Sequence, residues 1–149
     1  MKIKTGDIFE LKTDIGLFYL QYIGKREDGI EFVRVFDGPF SERPDIIATL
    51  ADNGERFFIQ LPISASVRRG MFERVGENTE QVPGIPKFMR DTPVMPGQTG
   101  WDIVDTKTCK RKHVEELTAE EVALSPWEWW NHATLKHSLE EGWRLENWV

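Results

Sequence analysis

The chain has 149 residues, 40% apolar and 30% charged, with a net charge of −6, which suits one domain with its own core and a solvated exterior. No run approaches the roughly 18 apolar residues needed to span a bilayer, and a single cysteine, Cys109, excludes an intramolecular disulfide framework. Residues 1–75 carry eleven Lys/Arg against twelve Asp/Glu, and residues 76–149 eight against thirteen. That balance disfavours nucleic acid and anionic membranes and favours encounter with a basic protein.

Met1 to Asp7 lacks the apolar centre of a secretory signal, and the lone thiol fits a reducing compartment, so a cytoplasmic protein is expected. Gly6 to Asp37 follows as three runs of aromatic and β-branched residues punctuated by Asp and Gly. This pattern predicts a three-strand antiparallel meander. In its second run Leu17, Tyr19 and Ile23 point one way and Phe18, Leu20 and Tyr22 the other, so both faces need cover. Gly38 to Pro44 is a loop, because two prolines and a glycine deny regular pairing. Residues 45–53 suit either a short helix ending at Asn53-Gly54 or the first arm of a hairpin.

Arg56 to Leu61 predicts a strand stopped by Pro62, and Met71 to Val75 a short one. From Gly76 to Gly100, prolines and glycines permit little pairing, with Ile85, Phe88 and Met89 available to pin the loop. Trp101 to Asp105 predicts a last strand, and the basic run Lys107, Lys110, Arg111 and Lys112 a solvated turn.

At the C-terminal end, Thr118 and Glu121 are spaced as a capping box. Ser125, Pro126 and Glu128 supply an N-cap, a first-turn proline and a box partner, and Gly142 a stop. They predict a helix over Pro126–Glu141. On it Trp127, Trp130, Leu135 and Leu139 share one broad side, and Trp129 falls away, placed for a hydrophobic staple to Leu124. Each buried Trp or Leu contributes on the order of 1.5–3 kcal/mol, enough together to dock the helix on the meander. The resulting expectation is one α+β, mostly β domain over 1–149, β-rich over 1–105 and helical over 118–142. Its architecture is a strongly bent antiparallel sheet or small open barrel with the C-terminal helix packed on it.

No catalytic, cofactor or metal residues are assigned. His132 and His137 sit five apart, about 140° away from each other on a helix. The spacings of zinc, nucleophile-elbow and phosphate-loop motifs are absent. The candidate partner-binding residues are Trp129 and Trp148, the tryptophans least suited to burial. With them go the acidic residues Glu120, Glu121, Glu140 and Glu141, which would steer a basic partner while also solvating helix ends.

Lys4-Thr5-Gly6-Asp7-Ile8-Phe9, the aromatic strand bearing Gln21, Val33-Arg34-Val35-Phe36-Asp37, Phe57-Phe58, Arg69-Gly70-Met71-Phe72 and Val75-Gly76 together resemble the bacterial immunity protein 26 family of polymorphic toxin systems. The likeness covers about the first hundred residues. It departs at Phe72, where a tryptophan is expected, and in the long spacing from Val75-Gly76 to Pro86-Lys87-Phe88. It implies a small cytoplasmic protein that binds and neutralises a cognate toxin domain, with no cofactor. Some of that family is also labelled phosphotriesterase, which makes a metal-dependent hydrolase the alternative, alongside a non-enzymatic small-ligand module. The His/Asp/Glu clusters such hydrolysis needs are missing here.

Overall fold

The computed structural model describes residues 2–149. Its main sheet is five-stranded and antiparallel: β1 (Asp7–Thr13), β2 (Gly16–Lys25), β3 (Glu31–Phe36), β4 (Glu55–Gln60) and β5 (Glu73–Glu77), in the order β4-β3-β2-β1-β5. The predicted meander forms its centre. Register shifts at Ile8/Phe9, between Tyr22 and Gly24, and at Val35/Phe36 break the regular ladder, and bulges of this kind increase twist. The sheet stays open and does not close into a barrel.

Both faces are covered, as the two-sided pattern requires. On one face Phe18, Leu20 and Tyr22 pack with Phe9, Val33, Val35, Phe57 and Ile59. Over them lie Ile63 from α1 (Ile63–Arg68) and Leu135 and Leu139 from α3 (His132–Glu140). On the other face Tyr19 and Ile8 meet Leu50 and Ala51 of a 3₁₀ turn, Ile47–Asp52; the centre of 45–53 is thus a short 3₁₀ helix, not a hairpin arm. Gly76 permits that contact, because a Cβ there would stand 2.7 Å from Ile47 Cγ2. The polar Gln21 on this face donates to Asn78 O (2.8 Å) and accepts from Arg34 Nε (2.8 Å). Arg34 in turn donates to Gln81 O, so buried polar groups hold the start of the long loop in place.

That loop contains a strand. β6 (Phe88–Asp91) pairs with β7 (Trp101–Asp105), and β7 with β8 (Arg111–Val114), giving a second antiparallel sheet. Met89 is buried in a third cluster with Ile23 and Phe32, with Ile85 packed against it. Part of the basic run is therefore strand rather than turn. A short α2 (Ala119–Val122) opens on the expected Thr118/Glu121 capping box.

The predicted helix is shorter than the sequence suggests. Its N-cap is Asn131, whose side chain accepts from Thr134 N at 2.8 Å, and it ends at Gly142, whose φ is +74°. Residues 125–130 are an extended strap instead. Ser125 Oγ accepts from Phe58 N at 2.8 Å rather than capping a helix. Two parallel bridges, Arg90↔Pro126 and Gln60↔Trp129, lay the strap along both β6 and β4. The strap thereby covers edge strands of both sheets, whose free N–H and C=O groups need partners.

Arg90 completes the join. It is fully buried, and its guanidinium donates to the carbonyls of Leu124 (3.0 Å), Val122 (2.9 Å), Leu145 (2.8 Å) and Trp148. Trp101 and Trp148 flank it, with ring centroids 4.9 and 4.5 Å away. Desolvation pulls its pKa down to about 10. Arg90→Ala leaves the carbonyls of Val122, Leu124 and Trp148 without donors, while Leu145 O keeps Trp148 N at 3.1 Å, so it should cost about 3 kcal/mol or more in urea denaturation. Arg90→Lys should recover little of this, since one ammonium cannot reproduce the planar fork.

The second sheet also carries a pH-sensitive cluster. His113 Nε2 lies 3.0 Å from Glu115 Oε1 and Nδ1 lies 3.2 Å from Asp102 Oδ1. Hydrogen bonding to Glu115, then to Asp102, raises its pKa above 6.5. The imidazolium thus contributes stability that is complete below the unfolded pKa and fades as pH rises through the folded value. Urea midpoints of wild type should fall across that window, and His113→Gln should flatten the fall.

Candidate protein-binding surface

The strap decides where the tryptophans go. Trp130 N donates to Gln60 O at 3.0 Å and Trp127 N to Arg90 O at 2.8 Å, while Gln60 Nε2 bonds Trp127 O. Trp130 enters the main core beside Phe57 and Trp143, with ring centroids 5.4 Å away in both cases. Trp127 packs against the third cluster, and Arg26 stacks over its ring at 5.0 Å. Trp129 alone faces outward and is 68% exposed. No staple to Leu124 forms: the segment is extended, so the helical spacing on which such a contact depends does not exist.

Beside Trp129 lies a small cavity of about 120 Å³, walled also by Ile30, Glu31, Gln60, Leu61 and Pro62. Glu31 is fixed by α1, since its carboxylate accepts from Ser64 N at 3.2 Å and from Ser64 Oγ. Gln60 Oε1 is buried and has no donor. An aromatic ring on a backbone tied at both ends, next to a rigid concavity, is the arrangement found at binding hot spots.

The other expected partner residues are dispersed. Trp148 is half-buried, edge-on to Trp101 at 4.9 Å and close above Arg90. Glu140 pairs with Lys136 at 2.8 Å and accepts from Asp14 N at 2.6 Å, and Glu141 lies 3.2 Å from His137. Glu121 serves the α2 capping box. Glu120 and Glu121 line a groove of about 610 Å³ next to Lys110, Arg111 and Lys112. A second groove of about 870 Å³, across the β7–β8 turn, holds Lys25, Lys87, Lys107 and Cys109. None of these four glutamates lines the cavity beside Trp129. The lysines at the β7–β8 end are interleaved with carboxylates, among them Glu27, Asp28 and Asp105.

Among the described residues no group of three His, Cys, Asp or Glu stands close enough to hold a metal ion, and no helix is long and apolar enough to cross a membrane. No family model, curated protein or solved structure matches the chain.

Sequence reasoning found Trp129 but not its setting. Glu31 and Gln60 come from distant strands, and only the sheet register brings them beside the strap. The one local signal for the strap was the aromatic run Trp127-Glu128-Trp129-Trp130 ahead of Asn131, a composition that favours strand. Trp129→Ala should change the unfolding free energy by no more than about 0.5 kcal/mol. Trp130→Ala, which empties core space, should cost about 3–5 kcal/mol. Paired urea titrations check both.

Proposed function

We propose that this chain is a protein-binding domain of the immunity type, which neutralises a cognate bacterial toxin domain by occluding it. The single observation that carries the binding part of this reading is Trp129, 68% exposed on a strap fixed by backbone bonds to two sheets. A large aromatic held in one orientation loses little conformational entropy on binding, so its buried area is available as affinity. The immunity assignment adds the resemblance carried by Gln21, Arg34 and Gly76. These three have structural duties here: Gln21 and Arg34 hold the start of the long loop, and Gly76 admits the 3₁₀ turn. The resemblance therefore supports a shared scaffold, and Trp129 supports a use for it.

A second apolar projection accompanies it. Val94 and Met95, at the tip of the loop joining β6 to β7, are each 70% exposed and offer adaptable contact area. The partner is a toxin domain with a basic surface, consistent with the chain's net charge of −6.

Co-expression with the toxin domain encoded beside it should restore growth, and Trp129→Ala should abolish that rescue while the variant stays folded. In a binding measurement the substitution should weaken affinity by about 2 kcal/mol, roughly thirtyfold. Arrested growth with abundant folded wild-type protein contradicts the proposal.

A further inference from the structure

The cavity beside Trp129 has a one-sided chemistry. Its backbone donors are largely used, with Leu61 N on Glu31 O at 3.1 Å, Ile30 N on Asp28 Oδ1 at 3.2 Å and Gly29 N on Arg26 O at 2.9 Å; Gln60 Nε2 gives one N–H to Trp127 O, and the Trp129 indole N–H stands at the rim. Pro62 has no N–H to give. The one charged group in the walls is an acceptor. The Glu31 carboxylate receives two bonds from Ser64 but retains further lone pairs.

Charge points the same way. Among the described residues Glu31 belongs to no ion pair. Lys25 stands opposite it in the β2–β3 register but lines the groove beyond and forms no pair with it. Arg26, the other nearby cation, is engaged by Asp28. Glu31, with its uncompensated carboxylate, the amide residue Gln60 and the exposed indole of Trp129 therefore border one space of about 120 Å³. At about 30 Å³ per water, that is the volume of roughly four waters, the scale of one side-chain end.

We propose that this cavity receives a basic side chain, arginine or lysine, of the protein partner; the partner's role rests on the protein-binding reading above. Ammonium and guanidinium groups are cationic donors, which matches walls whose one charged group, Glu31, accepts. Either would sit against the Trp129 ring as a cation on a π-face while pairing with Glu31. The same fold already uses that contact internally, with Arg26 over Trp127 and Arg90 over Trp101 and Trp148.

The probes are N-acetyl-arginine methylamide, N-acetyl-lysine methylamide and the neutral citrulline analogue, titrated into the whole protein and followed by ¹H–¹⁵N NMR. One or both cationic probes should shift the Trp129 indole and the Gly29 and Ile30 amides saturably, and the citrulline probe should not at matched concentrations. Glu31→Gln keeps an acceptor for Ser64, so it should stay folded and bind the cationic probe roughly fivefold to tenfold more weakly. Equal shifts from citrulline, no shifts from either cation, or undiminished affinity in Glu31→Gln overturn the assignment. If the cationic probes fail while co-expression still rescues growth, the cavity assignment falls and the protein-binding reading stands. If they bind with this charge dependence while rescue fails, the cation site stands and toxin neutralisation falls.

Discussion

The structure depends on a short strap, residues 125–130, that hydrogen-bonds to edge strands of two different sheets. The five-stranded sheet ends at β4 and the three-stranded sheet at β6, and each edge would otherwise present unpaired backbone groups to solvent. Pro126 bridges to Arg90 on one side and Trp129 to Gln60 on the other. The Arg90 side chain then reaches the carbonyls of residues 122, 124, 145 and 148. One buried guanidinium thereby fixes the segments before and after α3 to the second sheet. A guanidinium suits this task because its donors radiate in a plane and its weak hydration lowers the cost of burying it. The charge has no carboxylate partner among the described residues and is compensated by carbonyl dipoles and two indole faces.

The same strap explains why a large aromatic stands in solvent on a well-packed molecule. Had residues 126–131 been helical, the tryptophans would have shared a turn, and docking would have selected by helical face. In an extended segment bonded on both sides, Trp130 enters the core, Trp127 lies against the smaller cluster, and Trp129 is left mostly in solvent at the edge of a small cavity. The exposure follows from tertiary hydrogen bonding and is not relieved by local rearrangement, because rotating the segment would break the Gln60 and Arg90 bridges. A rigid exposed indole beside a carboxylate fixed by Ser64 is the feature most readily turned to recognition.

Charge is similarly placed by the fold rather than by the totals. The chain is acidic, yet Lys25, Lys87, Lys107, Lys110 and Lys112 border the two grooves at the β7–β8 turn. The glutamates at the ends of the helices are largely engaged with local partners. Glu31 is an exception, a carboxylate in no ion pair among the described residues.

Taken alone, the sequence determined what depends on neighbours along the chain. The two-faced meander, the β4 strand before Pro62, the Thr118/Glu121 box and the Gly142 stop are all set by alternation, capping and backbone freedom within a few residues. Ser125 with Pro126 and Glu128 predicted the start of the last helix, yet Asn131 caps it, and both are residue types that cap well. The choice was made by Phe58 N, which takes the Ser125 hydroxyl, and by Gln60 and Arg90, which take the strap backbone. Strand β6 was hidden for the same reason, since four residues between prolines acquire strand character only when β7 and the strap lie alongside. Tertiary structure decided the sheet-to-sheet join, the burial of Arg90 and the exposure of Trp129, because each depends on hydrogen bonds between residues at least 30 positions apart.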